Sequence, residues 1–428
     1  MKCTLKDILN YIIIFTIFSD AFVFGNIFSF AEFRISYIIM ALVLLFWILF
    51  LKNIYFNKAF FFLFIIIIIS SLYNIYIGKD TLVLLTKQVI GISLNAIIFY
   101  LLIKVNKYDL KRLFKIYLNI AFLVGAIGLI QELSYLLNFK FGYDFQYIIP
   151  NYTIAGSQSG FLRINSILSE PASFCYTMMP AFFVSIISFS RNSFQFLTKW
   201  KSLIIISSFF LTFSTVGYIG IIFSLFLLMY NHRKTRYIFG CTILMFVFIF
   251  FVWNNMSAVQ LRIGDSIDML TGKANLTTVN LSTFSLFSNS LVSYNSFKDN
   301  PIFGSGLGSH EISYYKYINN IVDVNKISIL LNVNDANSLF LRLLSETGLF
   351  GIIIFFYFIF KFHLSKKRDE SNYLWIINNA ILVMFLIRLI RAGHYFIYGF
   401  FFFFWLYYFA WKLNKFQSKN YKDKNYYY

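Results

Sequence analysis

The chain has 428 residues, of which 59% are hydrophobic and 13% are charged, and its formal net charge is +19. A water-soluble protein of this composition could not cover its surface with polar groups, so ordinary soluble domains are excluded. A hydrocarbon core about 30 Å thick needs about 20 apolar residues as a helix. Apolar runs of roughly that length occur at 8–29, 35–51, 59–77, 82–103, 113–137, 167–190, 202–230, 237–253, 346–361, 373–391 and 394–411.

The run at 202–230 decides how often the chain crosses the membrane. It is too long for one upright helix, and Ser214–Gly217 interrupt its middle. If it crosses twice, every inner segment holds at least two Lys or Arg, as short cytoplasmic loops should. We therefore expect an all-α, polytopic membrane protein, a single domain over 1–428, with about twelve transmembrane helices and both termini in the cytoplasm.

The positive charge has a membrane explanation, because Lys and Arg at the inner surface attract anionic lipid headgroups. Membrane lipids are thus expected partners and nucleic acid is not. Three cysteines, Cys3, Cys175 and Cys241, match no metal-ligand spacing, and no nucleotide-binding loop is present. The sequence predicts no metal and no cofactor.

Two outer loops are long, 138–166 and a large loop at 254–337 between the ninth and tenth helices, and 412–428 forms a cytoplasmic tail. Loops longer than about 12–15 residues are usually functional or disordered. We expect the large loop to form short helices against the outer membrane face, with disorder as the alternative for Thr271–Asn289.

A charged pair precedes a helix start at Arg163–Pro171. Pro171 suits the first turn of a helix, which Ser169 or Asn165 could cap, and Glu170 lies at the positive end of the helix dipole. The alternatives are a local Arg163–Glu170 ion pair at a capped helix start, or a carboxylate and a guanidinium facing a wet outer cavity.

Three glycines, at 304, 306 and 308, precede His310 in the large loop. Glycines permit a tight turn or the close approach of the backbone to a ligand, although a plain surface turn is equally consistent. His310 is a candidate catalytic residue, with a hydrogen-bonded surface histidine as the alternative.

The segment Asn337–Gly351 predicts an amphipathic helix that Asn337 or Asp335 caps, with a bend near Gly348. Arg342 and Glu346 recur on it at helical spacing, and the simpler interpretation is an interfacial helix only.

Arg388 and Arg391 fall at the outer end of the eleventh crossing and share a helical face. Arginine suits bidentate phosphate binding. The alternative is snorkelling to the outer headgroups.

Together these segments resemble the O-antigen polymerase and O-antigen ligase superfamily of bacterial envelope glycosyltransferases. Arg163 with Glu170-Pro171 is similar to the arginine-plus-"EP" signature of polysaccharide polymerases, and 300–308 is similar to their "NPxxGxGxG" motif. The ligase pattern has histidine, then Asn, Ser or Gln, nine residues and Gly. Ser338 and Gly348 fit, but Asn337 occupies the histidine position and cannot act as a base at neutral pH. That departure favours a polymerase.

The resemblance implies an O-antigen or capsule polymerase that joins undecaprenyl-diphosphate-linked oligosaccharide repeat units on the outer face of the bacterial cytoplasmic membrane. No nucleotide sugar is needed, and a chain-length regulator and a flippase are the expected protein partners. The alternatives are an O-antigen ligase, or a lipid-linked oligosaccharide flippase or other transporter.

The sequence assigns candidate roles on this basis. Catalysis falls to Glu170 first and His310 second, and positioning of the acceptor or the loop falls to Asn337, Arg342 and Glu346. The departing diphosphate would be bound by Arg163, Arg388 and Arg391. We expect sugars to stack on Tyr314, Tyr315 and Tyr317, with anchoring at the membrane interface as the equal alternative.

Overall fold

The computed structural model describes residues 5–25, 34–50, 58–158, 160–190, 196–231, 235–322, 330–365 and 373–424. Most of the described residues are helical. The helices are α1 (Leu5–Phe15), α2 (Ile35–Phe50), α3 (Lys58–Tyr76), α4 (Leu82–Val105), α5 (Leu110–Leu136), α6 (Lys140–Tyr143), α7 (Pro171–Ser190), α8 (Lys199–Phe210), α9 (Thr215–Asn231), α10 (Thr235–Asn255), α11 (Ser257–Leu270), α12 (Leu281–Asp299), α13 (His310–Ile321), α14 (Leu339–Glu346), α15 (Gly348–Lys361), α16 (Tyr373–Ile390) and α17 (Phe400–Lys424).

Helices long and apolar enough to cross a membrane confirm an all-α membrane protein. Five of the described helices meet that criterion by length and composition, namely α3, α4, α5, α7 (to Phe189) and α16. Three shorter apolar helices accompany them, at Ile35–Leu49, Thr215–Tyr230 and Gly348–Lys361. The count of twelve crossings and their orientation stay predictions.

The run at 202–230 is broken, as its sequence predicts. Helix α8 ends at Phe210 and α9 begins at Thr215. The carbonyl of Leu211 in the break accepts a hydrogen bond of 3.1 Å from the backbone N–H of Ile164. A helix break at membrane depth is tolerated where the freed backbone groups are satisfied by protein or line a wet cavity.

The two long loops contain local structure. The 254–337 segment folds as α11, α12 and α13, and α12 begins inside the stretch for which disorder was the alternative, because the Asn280 side chain caps it. The 138–166 segment contains α6 and a small hairpin of β1 (Ser157–Gln158) and β2 (Phe161–Leu162), antiparallel with Ser157 opposite Leu162.

The end of the large loop is capped differently from the prediction. Ser338, and not Asn337 or Asp335, caps α14, because its hydroxyl accepts the backbone N–H of Leu341 at 3.3 Å. The predicted bend is present, since α14 ends at Glu346 and Gly348 has a φ of 60°. That left-handed conformation is easily adopted only by glycine.

Candidate active site

A cavity of about 590 Å³ lies where the break between α8 and α9 meets the large loop. This volume is within the range of about 300–1,000 Å³ that ligand sites occupy. Its walls come from several separate parts of the chain. Their charged or polar members include Thr153, Arg163, Glu170, Tyr176, Ser214, Thr215, Arg262, Ser266, Ser282, Thr283, Ser285, Asn332, Asp335, Asn337, Arg391, His394 and Tyr398.

Three arginines, Arg163, Arg262 and Arg391, line this cavity. Burial lowers the pKa of all three, and the pKa of Arg262 is lowered further by the other two charges. A guanidinium stays protonated under such shifts, so the cavity wall carries three positive charges that lie within electrostatic reach of one another. This is a strong site for an anion with several oxygen atoms.

The arginines are held by few protein groups. Arg262 donates through Nη1 to the Thr215 hydroxyl at the start of α9, and Arg391 donates through Nη2 to the carbonyl of Ser282 at 3.2 Å. In the part of the chain that the structure describes, Nε of Arg163 is buried and has no hydrogen-bond partner. Guanidinium donors therefore remain available for a ligand.

Glu170 lines the same cavity, directly before the first residue of α7. Its carbonyl accepts the N–H of Phe174 at 3.1 Å, which places the side chain at the positive end of the helix dipole. Burial and the nearby Asp20 and Asp335 raise the pKa of Glu170, whereas Arg163 and Arg391 oppose that rise. No ion pair within 4.0 Å joins Glu170 to Arg163, although the structure describes both residues, so the local-pair alternative is not the observed arrangement.

Asp335, Asn337 and His394 form a polar group on another wall of the cavity. Oδ2 of Asp335 lies 3.4 Å from Nε2 of His394. Its Oδ1 accepts from the Asn332 side chain at 2.9 Å and from the backbone N–H of Asn337 at 3.3 Å. Burial lowers the pKa of His394 and opposes the effect of Asp335, so the imidazole is neutral near pH 7.

The structure brings only some of the predicted site residues together. Arg163, Glu170, Asn337 and Arg391 share the cavity, whereas Arg388 does not line it. Arg388 is fully buried and donates to the carbonyls of Ile397 at 3.0 Å and His394 at 2.7 Å. Its role in the described structure is to hold the segment that carries His394.

His310 is also away from the cavity. It is fully buried, with Nδ1 2.9 Å from the Ser345 hydroxyl and Nε2 2.9 Å from Oδ1 of Asn289. Both ring nitrogens are therefore engaged, and burial lowers the pKa of His310 to about 3. A neutral imidazole with two satisfied nitrogens joins α12, α13 and α14.

The glycines before His310 approach the protein's own backbone. A Cβ on Gly304 would lie 2.3 Å from the carbonyl carbon of Glu346, and one on Gly308 would lie 3.0 Å from the Leu84 carbonyl oxygen. The turn thus packs against α4 and the junction of α14 with α15. Of the tyrosines expected to stack on sugars, none lines the cavity, and Tyr314 is fully buried.

Arg342 and Glu346 form a buried ion pair, with Nε 2.9 Å from Oε1 and side chains 2% and 0% exposed. Arg342 also donates to the Gly393 carbonyl at 3.2 Å and lies 4.3 Å from the Tyr395 ring centroid. The pair does not line the cavity. Helix α14 was predicted to be an interfacial helix, but its charged side is buried against the protein.

Sequence reasoning missed three cavity residues, Arg262, Asp335 as a charged group, and His394. None of the three belongs to a recognisable sequence pattern. Only their convergence in space indicates a common site.

A comparison with protein families gives a match. Residues 201–356 match the family described as O-antigen ligase. This match supports a relationship of the chain to the O-antigen ligase and polymerase superfamily. Members of this superfamily are glycosyltransferase-like enzymes that act on lipid-linked sugars. The matched stretch begins in α8 and ends in α15, so it contains Arg262, Asp335 and Asn337. Arg163, Glu170 and Arg391 lie outside the matched stretch. A comparison with curated proteins gives no match.

Proposed function

We propose that this protein is a polysaccharide polymerase that joins undecaprenyl-diphosphate-linked oligosaccharide repeat units on the outer face of the bacterial cytoplasmic membrane. The observation that carries the proposal is the convergence of Arg163, Arg262 and Arg391 with Glu170 in one cavity of about 590 Å³. This chemistry suits a substrate with a diphosphate leaving group beside a sugar.

The reaction needs little covalent chemistry from the protein. A hydroxyl of one lipid-linked unit attacks the anomeric carbon of the sugar at the reducing end of the growing chain. The bond from that carbon to the diphosphate oxygen breaks, and the electron pair leaves with the lipid diphosphate. Fixed positive charges stabilise the negative charge that develops on this oxygen, which is commonly the largest catalytic contribution.

The arginines and Glu170 bind different substrates. Arg163, Arg262 and Arg391 hold the diphosphate, and Glu170 orients the acceptor hydroxyl by accepting its hydrogen bond. Holding both reactants in line removes much of the entropic part of the barrier.

Asn337 favours polymerase over ligase. In the ligase pattern that the sequence resembles, this position holds histidine, and an amide cannot take up a proton at neutral pH. Asn337 has a φ of 58°, a left-handed conformation that Asn tolerates. The ligase therefore stays the second candidate, and the flippase the third.

Deletion and complementation test the proposal. Cells without the gene should carry single repeat units on the surface glycolipid, without a long-chain ladder, and plasmid-borne wild type should restore the ladder. Loss of all attached units would instead support a ligase or a flippase.

The variant Arg391→Ala should leave single units at normal protein level, because the diphosphate loses one of its three cations. Lys273→Ala removes an exposed basic residue of the same large loop and should leave the ladder intact. A normal ladder with Arg391→Ala would show that the cavity is not the site of the reaction. Labelling of residues 254–337 from the cytoplasmic side would contradict the outer location.

A further inference from the structure

We propose that His394, oriented by Asp335, is the general base that takes the proton from the acceptor hydroxyl. The assignment rests on the proposed polymerase function and names the residue that the sequence left undetermined. The supporting observations are the placement of the ring at the cavity, the way the protein fixes it, and the state of the other candidate bases.

The Asp335 carboxylate determines which ring nitrogen is free. Oδ1 is occupied by the donors from Asn332 and Asn337, so Oδ2, 3.4 Å from Nε2, is the oxygen that faces His394. A carboxylate at that position favours the tautomer with the proton on Nε2. Nδ1 then carries the lone pair, and it has no hydrogen-bond partner among the described residues. A third of the side-chain surface is exposed, on a residue that lines the cavity.

The backbone around the ring is fixed by two buried arginines. Arg388 donates to the His394 carbonyl at 2.7 Å, and Arg342 donates to the Gly393 carbonyl at 3.2 Å. The Ser338 hydroxyl also bonds the Leu389 carbonyl at 2.6 Å, so the loop that carries Asp335 is joined to the end of α16. A base held this way needs no rearrangement to meet its substrate.

The other candidates lack one of these properties. His310 has both nitrogens engaged away from the cavity, and Asn337 has no basic atom. Glu170 is in the cavity, and burial raises its pKa despite Arg163 and Arg391. Among the described residues, however, no hydrogen bond orients the Glu170 carboxylate, whereas Asp335 faces the His394 ring. We therefore assign Glu170 to binding the acceptor hydroxyl.

Charged groups around the His394 ring set its pKa. The groups that act on it are Asp335, which favours the imidazolium, and Arg342, Arg34 and Arg388, which oppose it. In the empty site the ring is neutral and ready to accept a proton. When the anionic diphosphate enters, its negative charge favours the imidazolium and raises the pKa of His394, so the ring becomes a stronger base only with substrate present.

The proton balance is simple. The acceptor oxygen bonds to the anomeric carbon, the carbon–oxygen bond to the diphosphate breaks, and the hydroxyl proton moves to Nδ1 of His394. The imidazolium, stabilised by Asp335, loses that proton to water before the next unit binds.

The test uses the purified full-length protein in liposomes, with undecaprenyl-diphosphate-linked repeat unit extracted from the deletion strain. His394→Gln keeps a polar side chain but has no base, and should lower the single-turnover rate by at least about 100-fold, as loss of a general base does. Binding of the lipid-linked unit should stay within about threefold of wild type, because the three arginines are intact. The matched control His363→Gln changes a histidine that bonds Asn379 and should leave the rate unchanged.

Two failures are distinguishable. Polymer from wild type and from His394→Gln at similar rates overturns the base assignment and leaves the proposed function standing. No polymer from wild-type protein with its own repeat unit overturns the proposed function, and the base assignment with it.

The pH dependence of the rate for Asp335→Asn tests whether the Asp335 charge acts on His394 or only supports the fold. The wild-type rate should fall as the pH decreases through the pKa of His394 in the loaded site. Without the Asp335 charge the imidazolium is less stable, so the midpoint of that fall should move to lower pH. An unchanged midpoint would contradict the pairing.

Chemical modification of the wild type covers the case in which His394→Gln does not fold. Diethyl pyrocarbonate should inactivate the protein with an adduct on His394, one of four histidines, and lipid-linked repeat unit should slow that reaction. Hydroxylamine should restore activity. Full activity with His394 modified, or inactivation with His394 unmodified, overturns the proposal.

Discussion

The contact between Gly393 and the loop at 335–338 allows a quantitative prediction for Gly393→Ala. A Cβ on Gly393 would lie 1.5 Å from the carbonyl oxygen of Asp335 and 3.2 Å from that of Ser338. Ordinary van der Waals contact begins at 3.4 Å, so the Asp335 contact must lengthen by about 1.9 Å. Both neighbours are backbone atoms, which cannot rotate away as a flexible side chain does.

The expected effect is large for the smallest possible substitution. Inserting a methyl group into a well-packed site costs about 1–3 kcal/mol of stability. The displacement also separates Asp335 from His394, and a misplacement of about 1 Å can lower a rate by about 100-fold. We expect Gly393→Ala to fold with a lower melting temperature and to polymerise at least about 100-fold more slowly.

The assay compares chain-length ladders and melting curves of Gly393→Ala with those of Gly240→Ala. Gly240 lies within α10, and a Cβ there meets no atom within 4 Å. Alanine should therefore be neutral or stabilising at that position. A wild-type ladder from Gly393→Ala would refute the argument that this backbone contact aligns the site.

Three further substitutions have defined outcomes. Arg262→Gln should weaken binding of the lipid-linked unit by about 10-fold or more, because a charge-assisted hydrogen bond contributes about 1.5–3 kcal/mol. The control Lys273→Gln should bind as the wild type does. Equal affinities of the two variants in a binding titration would contradict this prediction. Arg342→Met should destabilise by about 3–5 kcal/mol, because it leaves a buried carboxylate unpaired, and adding Glu346→Leu should recover most of that loss in thermal unfolding. Burial lowers the pKa of His310 to about 3 in the folded protein. As the pH falls below about 6.5, the unfolded chain therefore binds a proton at this histidine and the folded protein does not. The free energy of unfolding should fall by up to about 1.4 kcal/mol per pH unit in that range. Melting curves of His310→Gln should lack that component.

Local features of the fold were predictable because a short stretch of chain determines them. Ser214–Gly217 predicted the break before α9, and Gly348 predicted the bend that follows α14. Pro171 predicted the first residue of α7. Each depends on backbone preferences of one or a few residues, which are visible without any tertiary contact.

The site was less predictable because its members are far apart in sequence. Arg163 and Arg391 were predicted because an ionisable residue near membrane depth is costly and is therefore a functional candidate. Arg262 lies in an ordinary amphipathic helix, so nothing in its sequence context sets it apart. His394 lies close after Arg388 and Arg391, and the segment was interpreted through those two arginines. Nothing in the sequence shows that Asp335 and His394 are 3.4 Å apart.

The same limit explains why two predicted site residues do not line the cavity. His310 and Arg388 are charged or titratable residues in the right neighbourhood, which is all that sequence can establish. Whether such a side chain faces a cavity or bonds the chain's own carbonyls depends on packing, and both of these are fully buried.

The cavity walls come from widely separated parts of the chain, from Thr153 to Tyr398. During synthesis, the chamber is incomplete until the end of α16 and the residues after it have left the ribosome and docked against the earlier helices. A nascent or C-terminally truncated chain that ends before Arg391 thus presents Arg163 and Arg262 but lacks both the third arginine and the Asp335–His394 pair. Such fragments should bind lipid diphosphate weakly and should not turn it over.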